Sequence, residues 1–169
     1  MVEHARPSVR ELFDAHARYV WRALRHLGVH EPEIPDVCQE VFIVVYRRLP
    51  EFEGRSSART WLYGICLRVA SDYRRRVRSR HEQPTSDSEL TVPDAHGERP
   101  DARLEDRRTL QALLDLLDQD KREVLVLYEL EGFTMKEVAE IVGCPLQTAY
   151  SRLHAARECL LAAKLEDPP

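Results

Sequence analysis

Gln147, Thr148, Ser151 and Arg152 stand at helical spacing, and Ala155 continues the row one turn further on. Their chemistry is recognition rather than bond-making. Hydroxyls and an amide can reach phosphates or base edges, an arginine can bond a guanine through two donors, and small residues let a helix approach a major groove closely. Such a row works only on a rigid support. Leu146, Ala149, Leu153, Ala156 and Leu160 recur at 3-4-3-4 spacing and give that helix an apolar stripe on its other side. Just before it, Thr134 and Glu137 have the spacing of a capping box, which predicts a short helix over 135–142. Gly143 ends that helix, Pro145 sits in the turn or opens the next one, and Gly132 suits the bend before it. Helix, tight turn, helix is the expected order. A helical hairpin with a solvated face is the alternative.

Catalytic patterns are missing. There is no P-loop, G-x-S-x-G or H-E-x-x-H, and the histidines at 4, 16, 26, 30, 81, 96 and 154 are scattered. Cys38, Cys66, Cys144 and Cys159 lie far apart and form no C-x-x-C pair, so buried reduced thiols are expected rather than a zinc site or disulfides. No cofactor, no metal and no enzyme activity are expected.

The chain has 169 residues, 43% hydrophobic and 32% charged, which suits one ordinary domain or two small helical ones. No apolar run approaches the roughly 18 residues of a membrane span, and no signal-peptide core is visible, so a cytoplasmic protein without membrane insertion is expected. The net charge of −4 hides an asymmetry: +5 over residues 1–80, −7 over 81–120 and −2 over 121–169. Between 59 and 80, seven arginines face Asp72 alone. An acidic whole disfavours strong nonspecific DNA binding, while a basic stripe on one helix favours local phosphate contact.

The elements that position these residues read as helices throughout, with no strand pattern. Ser8 and Glu11 make another capping box and open a helix to about Leu27, ended by Gly28, with Leu12, Phe13, Ala15, Tyr19, Val20, Ala23, Leu24 and Leu27 on its broad apolar face. A loop over 29–35 leads to a second helix, about 35–49, stopped by Pro50 and buried through Ile34, Cys38, Val41, Val45 and Leu49. Its other face carries Asp36, Gln39, Glu40, Ile43 and Arg47, polar groups around an apolar anchor, which suits partner docking as well as a solvated surface. Ser56 or Ser57 caps a third helix, about 58–80, with core stripe Leu62, Ile65, Cys66, Val69 and Tyr73. Arg68, Ser71, Arg75 and Arg78 form a ridge opposite, and Arg59, Thr60, Trp61 and Tyr63 stand at its start, a mixture suited to unstacked bases and phosphates. The competing reading makes Trp61 core and the arginines solubilising. Residues 81–101 are rich in proline, serine and acids and read as a flexible linker. Helices near 102–117 and 120–131 follow. The expected fold is all-α: two small helical modules, 1–80 and 102–169, joined by that acidic linker, the second carrying the helix-turn-helix.

Four stretches, in order, resemble the extracytoplasmic-function (ECF) group of sigma-70 RNA polymerase sigma factors. Asp36-Val-Cys-Gln-Glu-Val-Phe42 is similar to the D-x-x-Q-E-V-F segment of region 2, and Ser57-Ala-Arg-Thr-Trp-Leu-Tyr-Gly-Ile65 to F-R-T-W-L-x-x-I. Arg122-Glu-Val-Leu with Glu131-Gly-Phe-Thr-Met-Lys-Glu-Val-Ala-Glu140 resembles the first half of region 4, and Thr148-Ala-Tyr-Ser-Arg-Leu-His-Ala-Ala-Arg157 its recognition helix. The resemblance implies that Asp36, Gln39, Glu40, Ile43 and Arg47 dock on the β′ clamp helices of core RNA polymerase, with the β subunit also a partner. It implies that Ser57, Arg59, Thr60, Trp61, Arg68, Ser71 and Arg75 engage the −10 element of promoter DNA, holding a base flipped from its stack at a cost of a few kcal/mol. Gln147, Thr148, Ser151, Arg152, His154 and Arg157 would read the −35 element. An anti-sigma factor is a further implied partner, and the acidic linker would thread toward the polymerase channels. Departures stand at Ala58, Leu67-Arg68, Leu117-Asp118, Gln147 and Ala155, so a different −10 preference and weak binding to isolated −35 DNA are expected. The rival function is a helix-turn-helix regulator that acts without polymerase.

Overall fold

Local capping fixes the helix starts. In this computed structural model, which describes residues 7–82 and 102–166, α1 spans Val9–His26 and opens on the Ser8–Glu11 capping box. Both halves of the box form: the Ser8 N–H donates to Glu11, and the Glu11 N–H to the Ser8 hydroxyl at 3.2 Å. Gly28, at φ +87°, turns the chain out of the helix. A 3₁₀ turn over Glu31–Glu33 then leads into α2, Ile34–Arg48. The start of α3, Ala58–Glu82, is held by the Thr60 N–H donating to the Ser57 hydroxyl at 3.0 Å.

After residues 83–101, which lie outside the described residues together with most of the expected linker, α4 spans Ala102–Asp115. It tightens at its end, where the Leu116 and Leu117 N–H groups donate back to Leu113 and Leu114. Asp118, at a position where the resemblance expects proline, caps α5, Gln119–Leu125, by accepting from the Lys121 N–H at 3.0 Å. The expected single helix over 120–131 is α5 followed by a π-helical turn, Val126–Leu130. The helix-turn-helix has the expected bounds: α6 is Met135–Val142, with its Thr134–Glu137 capping box complete, and α7 is Leu146–Glu166. Gly143 between them takes φ +70°, a conformation that glycine adopts without a Cβ penalty. No strand occurs among the described residues.

Packing corrects the expected apolar faces in places. Leu146 is 47% exposed, because it opens α7 ahead of the stretch that crosses α5 and α6, while Ala149, Leu153 and Ala156 are buried as expected. Phe13 and Ala15 are also exposed. The Phe13 ring lies edge-on to Phe42, 4.8 Å between centroids, on the rim of a groove rather than in the core. Leu49 and Tyr128 are half-buried, and Val37 and Phe42 join the α2 core. Cys38 and Cys66 are buried thiols, with burial pushing both pKa values up; Cys144 and Cys159 are half-buried.

The helices α1, α2 and α3 pack on one another, as do α5, α6 and α7. One continuous buried core nonetheless runs through both groups, because α3 also packs on α6. Tyr63 of α3, fully buried, meets Phe133 edge-on with ring centroids 5.7 Å apart.

Candidate nucleic-acid interface

The acidic face of α2 is formed as its spacing predicts. Asp36, Gln39, Ile43 and Arg47 are exposed, Ile43 at 44% despite its aliphatic side chain. Exposed Tyr46 lies on the same helix. Glu40 is half-buried and accepts from Arg76 of α3 at 2.9 Å, so this face of α2 touches the basic helix through one ion pair.

On α3 the ridge residues Arg68, Arg75 and Arg78 are exposed, and Arg75 pairs with Asp72 at 2.8 Å. Ser57 and Thr60 share a hydroxyl–hydroxyl hydrogen bond of 2.8 Å at the helix start. Trp61 is half-buried, its ring 4.8 Å from that of Phe52, so it belongs to the rim of the core while keeping part of its surface open. Ser71 does not face solvent alone: its hydroxyl accepts from Gln119 of α5 at 3.1 Å.

Arg59 is the residue whose surroundings differ most from expectation. Its guanidinium stands over two rings, Tyr19 at 5.2 Å and Phe133 at 4.8 Å, and donates to the Glu131 carboxylate at 3.1 Å and to the Glu131 carbonyl. The Glu131 side chain has no solvent exposure. Arg22 reaches it at 3.3 Å, and His26 Nδ1 stands 3.8 Å from its other oxygen. Burial pushes the Glu131 pKa up, but the His26 imidazole and the Arg22 and Arg59 guanidiniums outweigh it and hold the carboxyl below its ordinary value. A second charged contact lies further along α3, where Arg74 donates to Glu123 at 3.0 Å. Burial dominates at Glu123 and raises its pKa, against opposing hydrogen bonds from Gln119 and Arg74.

These partners of Arg59 and Arg74 had no signal in the sequence beyond being glutamates in apolar surroundings. The π turn explains the position of Glu131. The Glu131 N–H donates to Val126 at 3.0 Å, a five-residue reach that moves the next side chains round the axis and leaves Phe133 and Glu131 pointing at α3 and α1.

The recognition helix presents its row as the spacing predicts: Gln147, Ser151 and His154 are exposed, Thr148 and Arg152 half-buried. The Ser151 hydroxyl donates to the Gln147 carbonyl at 3.0 Å. Arg152 pairs with Asp120, Arg157 donates to Glu129 at 3.0 Å, and His154 stands 3.3 Å from Glu158. Both arginines of the row therefore already face a carboxylate.

A basic helix beside a helix with an acidic, amide-bearing face, followed by a helix-turn-helix with a polar outer row, is the arrangement of a helical DNA-binding protein. Comparison with known proteins narrows this. Residues 12–80 match the family described as sigma-70 region 2, and residues 107–160 match sigma-70, region 4. The chain is 36% identical over 143 residues to the ECF RNA polymerase sigma factor SigC of Mycobacterium tuberculosis, covering 85% of this chain and 76% of that one. It is 32% identical over 139 residues to the ECF RNA polymerase sigma-E factor of Escherichia coli K12, covering 76% and 72%. Among solved structures, CnrH in complex with the cytosolic domain of CnrY superposes with a TM-score of 0.70 at 27% identity, over 95% of this chain and 89% of that one. The sigma factor RpoE of Bartonella quintana, solved with the anti-sigma factor NepR, shares the fold with a TM-score of 0.68 at 22% identity, over 94% and 98%. The chain belongs to the ECF group of the sigma-70 family of RNA polymerase sigma factors, proteins that bind core polymerase and recognise promoters to begin transcription.

Proposed function

We propose that this sigma factor divides its work between residues 1–80, which hold core polymerase and the −10 element, and residues 102–169, which read the −35 element, with 81–101 as the connecting linker. Asp36, Gln39, Glu40, Ile43 and Arg47 dock on the β′ clamp helices. Ser57, Arg59, Thr60, Trp61, Arg68, Ser71 and Arg75 bind the unstacked −10 strand. Gln147, Thr148, Ser151, Arg152, His154 and Arg157 enter the −35 major groove. The protein acts in the cytoplasm as a binding factor with no catalytic step of its own. An anti-sigma factor is its regulatory partner, and a groove lined by Phe13, Trp21, Phe42 and Leu110 offers such a partner apolar surface.

The observation that carries the reading is the pairing of two unlike faces on adjacent helices. Exposed Ile43 sits within an acidic, amide-bearing face of α2, and α3 carries an arginine ridge with Trp61 half-open at its start. Ile43 and Tyr46 together leave apolar surface open beside these polar groups, which suits a protein partner better than solvent. The test is reconstitution. The protein is mixed with sigma-free bacterial core polymerase and, separately, with promoter-library DNA, and each mixture is run by size exclusion. Co-elution with core and not with DNA alone is the expected result. The double variant Arg68→Ala/Arg75→Ala then keeps core binding and loses promoter opening. Opening that survives the double change removes the −10 assignment, and DNA binding without core binding restores the polymerase-independent regulator.

A further inference from the structure

Two apolar side chains at the start of α7 face outward. Leu146 is 47% exposed and Tyr150 51%, while Ala149, Leu153 and Ala156 on the other side of the helix are buried. Position 150 lies one turn beyond 146, on the same line of the helix surface. Gln147 and Ser151 are exposed beside them, one residue on in each case. The outward face of the first two turns is thus Leu146, Gln147, Tyr150 and Ser151. It carries no cation: Arg152 stands half-buried at its flank and pairs with Asp120.

In a helix-turn-helix, the N-terminal residues of the second helix are the ones that reach base edges. What they present decides which bases they tell apart. An arginine fork reads guanine, a glutamine amide pairs with the N6 and N7 edge of adenine, and an apolar side chain packs on the C5-methyl of thymine. The face here has the last two groups and lacks the first. Leucine and tyrosine in water bury nothing, whereas against a methyl both apolar surfaces leave water together. Four residues advance about 6 Å along a helix and base pairs are about 3.4 Å apart, so the two side chains reach methyls about two steps apart. The Tyr150 hydroxyl, at the tip of the ring, can donate to a phosphate.

We propose that Leu146 and Tyr150 are specificity-determining residues that read thymine methyl groups in the −35 element, beside an adenine read by Gln147. The inference rests on the assignment of α7 to the −35 element made above and deepens it. At the start of α7 the preference of this factor is carried by A·T pairs, not by a guanine bonded to arginine.

The test uses holoenzyme reconstituted from the full chain and core polymerase. A promoter is selected by run-off transcription from genomic fragments of the source bacterium. The probe is that promoter as a duplex, with the thymines of its −35 element replaced one at a time by deoxyuridine, which keeps the base pair and removes only the methyl. Competition gel shifts read the affinity. Two positions are expected to cost the natural holoenzyme about fourfold each, the size of one buried methyl. Tyr150→Ala is expected to bind thymine and deoxyuridine equally at one of them, and Leu146→Ala at the other. Tyr150→Phe is expected to keep the discrimination and to weaken binding to all probes alike, since it lacks only the hydroxyl. Thermal unfolding by circular dichroism checks that the variants fold, and the deoxyuridine series on the natural protein needs no variant. A −35 element whose scrambling costs affinity, but in which no methyl matters or the sensitivity survives both alanine changes, overturns the thymine reading and keeps the −35 assignment. Affinity indifferent to scrambling overturns both. A folded Tyr150→Ala variant that no longer co-elutes with core polymerase gives this face to the polymerase and overturns the thymine reading.

Discussion

A glutamate without solvent contact persists as a carboxylate only where cations surround it, and Glu131 meets this condition through Arg22 and Arg59, with the His26 imidazole beside them. Its pKa is held below the ordinary value of 4.5. The sign follows: a carboxyl depressed in the folded state contributes stability that is fully present above 4.5 and is lost as pH falls through its lower folded value. Glu131→Gln is therefore expected to cost about 1–3 kcal/mol at pH 7, from lost charge-assisted hydrogen bonds. The gap between the variant and the natural protein should close as pH falls below 4.5. Urea unfolding at stepped pH measures it, and a gap constant down to pH 3 rules out an ionised Glu131 as its source. Glu123 opposes this trend, its pKa being raised by burial, so the comparison must be made between the two proteins rather than from the natural one alone. Arg122 is the second residue with a definite structural load. It is buried, and its Nε donates to the Leu114 carbonyl at 2.8 Å while its far end pairs with Asp115, closing the end of α4. Arg122→Met keeps the packing, leaves the Leu114 carbonyl with the Leu117 N–H alone and takes the partner from Asp115, and is expected to cost about 1–3 kcal/mol by urea midpoint. A change within error would mean that water replaces the guanidinium there.

At the scale of elements, what the sequence made legible is what neighbours in the chain decide. The two capping boxes, the glycine stop at Gly143 and the bounds of α6 are formed by groups three or four residues apart, and they stand where the spacing predicts. Thr134→Ala is accordingly expected to cost about 1 kcal/mol by thermal unfolding, the ordinary loss of a helix cap. It should leave the length of α7 unaltered in its amide-exchange pattern, since α7 has its own contacts with α5. Thr134→Ser should restore the loss, because the serine hydroxyl can accept from Glu137 as Thr134 does. Illegible features were those that depend on long-range packing. The exposure of Leu146 follows from where α7 begins to cross its neighbours, which no periodicity records. The π turn at Val126–Leu130 lies in an apolar run with no proline or glycine to mark it. For the site, the residue types and their faces on α2, α3 and α7 were readable, but the carboxylate partners of Arg59, Arg152 and Arg157 were not. Those pairs join positions 72, 32 and 28 residues apart.

The whole molecule combines these pairs into one expectation about DNA. Binding to a duplex gains its strength from cations that displace condensed counterions, so each arginine already neutralised by the chain contributes less. Here Arg152 faces Asp120, Arg157 faces Glu129 and Arg59 faces Glu131, in a chain whose net charge is −4. Family positions that carry a further cation in the recognition helix hold Ala155 here, so no spare arginine compensates. On the proposed division of labour, core polymerase would hold both halves of the chain near one promoter and so make the second contact intramolecular. The free protein is therefore expected to show no submicromolar binding to a −35 duplex at physiological salt, while the holoenzyme binds a promoter selected by run-off transcription tightly and specifically. Gel shifts over a salt series measure both. Submicromolar binding by the free chain, with a steep salt slope, would mean that the recognition arginines leave their carboxylates at little cost, and promoter choice would then lie in the helix-turn-helix alone. A shallow slope for the free chain beside a steep one for the holoenzyme is the pattern that places the affinity in the assembly.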